Sequence, residues 1–530
     1  MGLARGDVVF VAFQQQDNLG VGYLASTLME HGYRPCILDF RLSPDDLLQQ
    51  VLRREPLLVG FSMIFQYHVQ SFRDTMRFLR NNGIACHFTA GGHYPSLRWR
   101  DLLGFIPELD SVVLFEGEHT LTQLVDALGK KEDWHDLPGL AVRGPEGLRA
   151  NPLVPLEADI DCFPPPLRPP LREFAFGRKF ATILASRGCW YDCTFCSIRR
   201  FYSATPGSIK RIRRPEAVAE EMRLLFHEQG CSVFAFQDDD FPVGATRGRR
   251  WALDLCRRLD DNGLTGRVLW KISCRTDEVD GEVVASLRDH GLFLVYLGIE
   301  SGTDEGLQQM NKRTTCASAL RSAEVLKRLG VGFDFGFMLF APWSTPDLVL
   351  ADVDFLDSLC GDGSSSASFC KMLPYAETEV ERRLRAEGRL RGSLGDEDYE
   401  FLDPAVERIY ELVNGAFYEW MSSTDGVLNR SRWLGYELAM AERLASSDAA
   451  AREARRLRED GAAVTARANR FFTSIVREAV ELSRRPIDPI ARSRFQDGVK
   501  DQHCRFASEI GRVLGDAEMV FGSCPVGDVT

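Results

Sequence analysis

"SRGCWYDCTFCSIRRFY", residues 186–202, carries Cys189, Cys193 and Cys196 at the spacing C-x3-C-x2-C. Three thiolates so close in sequence can hold one metal centre. Structural zinc almost always takes four ligands, and the nearest downstream donors, His227 and Cys231, stand about thirty residues further along. A 4Fe–4S cluster is normally held by four thiolates, so three leave one iron with an open coordination position. The stretch follows "FATILAS", residues 180–186, an apolar run of strand character. The cysteines therefore sit at the carboxyl end of a strand, where parallel barrels keep their chemistry.

Outward from this point the chain alternates. The runs "SVFAFQ", "VLWKIS", "FLVYLGI", "GFDFGFMLF" and "SASFCKML" read as further strands, most of them separated by helices. "RPEAVAEEMRLLFHEQG" has Pro215 in its first turn and stops at Gly230; "DGEVVASLRDHG" starts on Asp280 as N-cap. Six strand–helix repeats predict a partial (βα)6 barrel over residues 180–388, with a lateral opening for a large substrate. Upstream, residues 151–179 hold the proline-rich "DCFPPPLRPPL" and read as a semi-rigid linker. Residues 1–150 show five apolar runs between amphipathic helices, the pattern of a doubly wound, Rossmann- or flavodoxin-like parallel sheet covered on both faces. After about residue 390 strands give way to helical runs, and residues 389–530 read as a helical domain capping the barrel.

The formal net charge of -12 argues against nucleic acid as the main partner. The short basic stretch "RRFYSATPGSIKRIRR" reads as a solvated loop. No apolar run approaches the length of a membrane span, and the N-terminus lacks the pattern of a secretory signal, so a cytoplasmic protein is expected. In a reducing compartment most of the 14 cysteines read as small core residues, among them Cys36, Cys86, Cys256, Cys274 and Cys370.

With this context the chain resembles the radical S-adenosylmethionine enzymes, whose signature "SRGCWYDCTFCS" matches closely, including Phe195 before the last cysteine. The resemblance implies that the open iron chelates the methionine part of S-adenosylmethionine, and that one electron then releases a 5′-deoxyadenosyl radical. It also implies an electron donor such as flavodoxin or ferredoxin. Asp238, Asp239 and Asp240 in "FQDDDF" are placed to receive the methionine ammonium, Arg275 in "SCRTD" its carboxylate, and Glu300 in "LGIESG" the ribose hydroxyls. Each is also what a structural ion pair or strand-end turn would contain. "MNKRT", residues 310–314, recurs in this subgroup and receives no chemistry.

The first domain resembles the cobalamin-binding domain fused to one large subgroup of these enzymes, the class B type. "NLGVGYLASTLMEHGY", "VGFSMIFQ", "TAGGHYPS" and "LFEGEHT" occur in that order. On this resemblance Ser62 bonds the nucleotide tail, Gly91 and Gly92 let the backbone approach it, and Glu116 and Glu118 lie at the same sheet edge. The loop after the first strand, "QQQDNLGVG", has no histidine of the D-x-H-x-x-G kind, so it offers cobalt no lower ligand.

The implied activity is a cobalamin-dependent radical methyl transfer to an unactivated carbon or phosphorus of a small-molecule or peptide natural product. Cyclisation or rearrangement on the same architecture is the alternative. Methylthiolation of transfer RNA would need three more cysteines in the first domain, which has only Cys36 and Cys86. A cobalamin carrier would not need the cysteine triplet. The aromatic clusters "FYEWM" and "RFF" read as packing residues.

Overall fold

The computed structural model describes residues 6–521 apart from 15, 16, 172, 174–177, 446 and 485–487. Parts of the "QQQDN" loop and of the 151–179 stretch thus lie outside the described residues. The chain forms two compact units, each discontinuous in sequence. The first comprises residues 1–170, 187–213 and 373–399; the second comprises 171–186, 214–372 and 400–530.

In the first unit, strands β1 (Asp7–Ala12), β2 (Arg34–Asp39), β3 (Leu58–Ser62), β4 (His87–Gly91) and β5 (Ser111–Val113) are parallel. With β6 (Leu140–Gly144) and β7 (Gly147–Ala150) they make one sheet of order β2-β1-β3-β4-β5-β6-β7. This is the flavodoxin-like winding, whose ligand crevice opens at the carboxyl ends of β1 and β3, where strand order reverses. Helices on both faces explain the unbroken apolar strands: Val9, Val11, Val59 and Phe61 enter one core, and Val8, Phe10 and Leu58 the other. The sheet is not wholly parallel, because β6 and β7 extend it as an antiparallel hairpin. A second hairpin, Leu390–Ser393 with Asp396–Tyr399, stands where helix alone was expected.

The stretch read as a linker is packed in its described part. The Leu167 amide donates to the Gly22 carbonyl (3.0 Å) on helix α1 (Leu19–Glu30), and Arg168 pairs with Asp17 at 3.0 Å. Proline fixes φ, so this segment follows α1 at small entropic cost.

In the second unit, β8 (Lys179–Ile183), β9 (Cys231–Phe236), β10 (Leu269–Arg275), β11 (Leu292–Glu300) and β12 (Gly332–Phe337) form a parallel sheet in the order β12-β11-β10-β9-β8. The sixth expected strand is reduced to one parallel bridge, Phe340 with Lys371. Helices Pro215–Gln229, Ala245–Asp261, Gly281–Asp289, Cys316–Leu329 and Pro346–Cys360 are the crossovers, and Asp280 caps its helix through the amides of Glu282 and Val283. Helices α2 (Pro404–Ser422), α3 (Val427–Leu444), α4 (Asp448–Ser483) and α5 (Pro489–Phe521) complete the unit. Ala439 and Met440 of α3 pack on Val233, Leu269, Phe293 and Leu294, at the amino-terminal ends of the strands. That end of the barrel is therefore closed by protein. Trp420 stacks on Phe471 and Phe417 meets Phe472 edge-on, so these aromatics are packing residues. Among the described residues, no helix is long and apolar enough to cross a membrane.

Candidate active site

In the first unit, Cys189, Cys193 and Cys196 are all half-buried on one loop. The Cys196 amide donates to the Cys193 carbonyl at 3.1 Å, and the Val380 amide to the Thr194 carbonyl at 3.1 Å, so backbone bonds shape the loop. Gly188 opens it at φ +84°, where a Cβ would collide with the Ile209 carbonyl. Phe195 is half-buried beside the thiols in sequence. Cys231, a possible distant zinc ligand, is fully buried in the second unit, with its thiol directed to the Val233 carbonyl at 3.3 Å. Among the described residues no three His, Cys, Asp or Glu side chains converge as ligands of one metal ion. Thiolates that each take a different iron of a cluster need no such convergence. The all-sulfur donor set on a half-exposed loop fits a 4Fe–4S cluster.

The carboxyl edge of the first sheet fits a large ligand. Ser62 ends β3 half-buried, and the amide of Gln14, just past β1, is buried with neither polar atom hydrogen-bonded. Ile64, Phe65 and Tyr67 follow β3 as exposed apolar groups, with the rings of Phe65 and Tyr67 stacked at 5.3 Å. Sequence reading overlooked these three, although "MIFQY" directly past a strand end was the signal. Gly92 lies at φ +109°, and a Cβ there would meet the Met63 carbonyl at 2.7 Å; the neighbouring strand end itself requires this glycine. Gly91 has only ordinary contacts, with the Val113 carbonyl at 3.6 Å. His93, next in the chain, has its Nε2 buried and unbonded, and burial pushes its pKa down to about 4, so the ring is neutral.

Glu116 and Glu118 are engaged by arginines within the same unit. Arg211 donates to both oxygens of Glu116 (2.7 and 2.8 Å), and Arg187 reaches Glu116 at 3.2 Å and Glu118 at 2.8 Å. Burial opposes ionisation of Glu116, but Arg211 and Arg187 override it and hold its carboxyl below the usual range. These glutamates therefore tie residues 187–213, which carry the cysteines, to the sheet edge.

In the second unit the three aspartates separate. Asp238 is buried and accepts the Ala185 amide (3.1 Å) and the Ser186 hydroxyl (2.5 Å), so it locks the end of β8. Asp239 is exposed and Asp240 buried. Arg275 is buried and donates to both oxygens of Asp277 (2.9 and 3.2 Å) and to the Lys312 carbonyl (2.7 Å). Lys312 in turn pairs with Glu300 at 3.0 Å. The "MNKRT" segment, which received no chemistry from the sequence, thus joins the two strand-end residues. Glu300 sits on a bulge of β11 at φ +71°, a strained conformation of the kind found at functional sites. Its carboxylate folds back over Gly298 and Gly336, where added Cβ atoms would stand 2.9 and 3.1 Å from it.

Lys312→Met is expected to weaken S-adenosylmethionine binding about ten- to a hundredfold by equilibrium dialysis, the range for losing a charge-assisted contact. Lys312→Arg should keep most of the affinity. Unchanged binding by the methionine variant would count against the cofactor role expected of Glu300.

The turn after Glu300 is held by Asp352, which accepts the Gly302 amide (2.6 Å) and the Ser301 hydroxyl (3.0 Å). Burial pushes the Asp352 carboxyl up to about 7 despite both donors. With the folded pKa above the unfolded one, the linked stability is full below about pH 4 and is lost as pH rises through about 7. Melting curves should show wild type losing ground to Asp352→Asn across that window; parallel curves would contradict the shift.

Cys370 does not sit in an apolar core as expected but is exposed. Its thiol is directed to the Phe337 carbonyl at 3.4 Å. Tyr296, on the same face of β11 as Gly298 and Glu300, is 38% exposed although its strand is internal to the sheet. Both therefore face a wet barrel lumen.

A parallel barrel unit with a charged strand-end cluster, a three-thiol loop and a doubly wound unit with an open carboxyl edge together define a radical enzyme fused to a cobalamin-binding domain. The radical SAM superfamily matches residues 183–342 and the B12 binding domain residues 6–125. The chain belongs to the radical SAM enzymes that carry a cobalamin-binding domain, with a 4Fe–4S cluster, S-adenosylmethionine and cobalamin as cofactors. It is 28% identical over 415 residues to an uncharacterized methyltransferase of Pyrococcus horikoshii, covering 75% of this chain and 86% of the relative. It is 24% identical over 356 residues to the anaerobic magnesium-protoporphyrin IX monomethyl ester cyclase of a Synechocystis strain, covering 65% and 68%. The cobalamin-dependent S-adenosylmethionine radical enzyme OxsB, solved with aqua-cobalamin and S-adenosylmethionine, shares the fold at a TM-score of 0.65 and 16% identity, over 97% of this chain and 80% of that one.

Proposed function

We propose that this enzyme transfers a methyl group to an unactivated carbon or phosphorus centre of a small-molecule or peptide natural product. The observation that carries the reading is the combination, in one chain, of a cluster loop with three thiols and a cobalamin-type sheet edge with unsatisfied polar groups; the methyltransferase relative supports it. When bound, the cluster supplies an electron to S-adenosylmethionine and cobalamin supplies the methyl group. The chain's own residues bind and orient. Cys189, Cys193 and Cys196 hold the cluster, Ser62 and the Gly91–Gly92 turn receive cobalamin, and Arg275 with the Glu300–Lys312 pair receives S-adenosylmethionine. Asp238 acts through the end of β8, which leaves Asp239 and Asp240 as the candidates for the methionine ammonium. A flavodoxin or ferredoxin is the proposed electron source, and the reducing cytoplasm the proposed compartment.

The test is anaerobic reconstitution with cobalamin and methyl-deuterated S-adenosylmethionine against candidate substrates, read by mass spectrometry. A gain of one labelled methyl is expected. The cyclase relative supports a second reading, ring formation, in which the product gains no label.

A further inference from the structure

Lys271 lies on β10, whose residues alternate between two faces. Trp270 and Ile272 are fully buried on one face, with Trp270 packed on Phe236 and Phe241. Lys271 and Arg275 lie on the other, with Lys271 in register with Ala235 of β9 and Leu294 of β11. β10 is the middle strand of the sheet, so this face is the lumen onto which Tyr296 also opens.

The charges around Lys271 are already matched without it. Asp334 of β12 accepts the Tyr436 hydroxyl and forms an ion pair with Arg432 Nε, both at 2.9 Å and both from α3, and its other oxygen accepts the Phe335 amide at 2.8 Å. Glu300 is matched by Lys312. Among the described residues the Lys271 ammonium has neither an ion-pair partner nor a hydrogen bond. Burial holds its pKa below the usual lysine value, with Asp334 opposing only at longer range. A half-buried ammonium with no carboxylate within ion-pair distance favours a ligand that brings negative charge to it.

We infer that Lys271 receives an anionic group of the substrate, a carboxylate or a phosphate, inside the barrel. Four residues of strand, about 13 Å, separate Lys271 from Arg275, so the group lies deeper than the strand-end cluster. The ammonium is a positioning and specificity element: it fixes one end of the substrate and leaves the reacting centre towards the carboxyl ends of the strands. Ala235, in register beside it, leaves room for the anion. This deepens the proposed function and rests on the lumen being the substrate site.

The test reads binding, not turnover. Reconstituted enzyme is reductively methylated with isotopic formaldehyde in the presence of inorganic phosphate, acetate or S-adenosylmethionine, and Lys271 labelling is read by peptide mass spectrometry. Protection of about tenfold, as for a charge-assisted contact, is expected with phosphate or with acetate, and the arm that protects names the anion. In phosphorus NMR, Lys271→Met should remove the phosphate line broadening that Lys271→Arg retains if phosphate is the anion. Protection by S-adenosylmethionine alone would assign the charge to the cofactor and overturn the inference. So would equal labelling in all arms, or a Lys271 that never reacts. A failure to transfer methyl with intact protection would instead count against the methyltransferase reading alone.

Discussion

Cys193→Ala is expected to abolish reductive cleavage of S-adenosylmethionine while leaving the protein folded. The two effects separate because the loop's shape does not depend on the thiol. Its turn is made by the Cys196 amide on the Cys193 carbonyl, which alanine keeps, and by Gly188, whose φ of +84° no other residue adopts easily. Cys193 is only half-buried, so the packing lost is small and the melting temperature should move by a few degrees at most. A four-iron cluster held by two thiolates instead of three exposes a second iron and falls apart. Iron and sulfide after anaerobic reconstitution should drop to background, along with deoxyadenosine release. Exposed Cys162 provides the control, since Cys162→Ala should load iron like wild type. Zinc in place of iron in anaerobically purified enzyme, or wild-type cleavage by Cys193→Ala, would end the radical reading.

Much of this architecture could be read beforehand because its signals are local. Continuous apolar strands between capped helices announce a covered parallel sheet, and Asp280 is the N-cap its position suggested. What stayed hidden depends on partners distant in sequence. "LAVRGPEGLRA" has a hairpin's turn residues, but only its pairing with β5 makes β6 and β7 the sheet's edge. Lys312 looked like part of a bare motif until Arg275 and Glu300 were both seen to meet it. Asp238 has the composition of a cofactor ligand, yet it serves the backbone of β8. Cys370 follows an apolar run, and nothing in that run shows that it faces a lumen. Sequence spacing identifies which residues share a strand end; it does not tell which of them are already taken by one another.

Glu116 and Glu118 show this most sharply, and they lead to the largest expected loss of stability. Arg187 is 9% exposed and stands between Glu116 and Glu118, with its guanidinium 4.9 Å from the Tyr23 ring and 5.4 Å from that of Phe163. Burial opposes its charge, but Glu118 and Glu116 more than offset this and raise its pKa. Arg187→Met would nearly preserve the volume while leaving a buried carboxylate without its cation, at a cost of about 3–5 kcal/mol. The loss should fall on Glu118, because Arg211 still holds Glu116 through two hydrogen bonds. Arg187→Met with Glu118→Gln should therefore recover much of the stability, whereas adding Glu116→Gln instead should not. Arg187 opens the 187–213 segment that carries all three cluster thiols, so the single variant should also load less iron at the same reconstitution ratio. Chemical denaturation of wild type, Arg187→Met, Glu118→Gln and their double variant measures the coupling directly. Additive losses would show that the arginine and Glu118 are neighbours without being a pair, and that the cluster loop is anchored by other contacts.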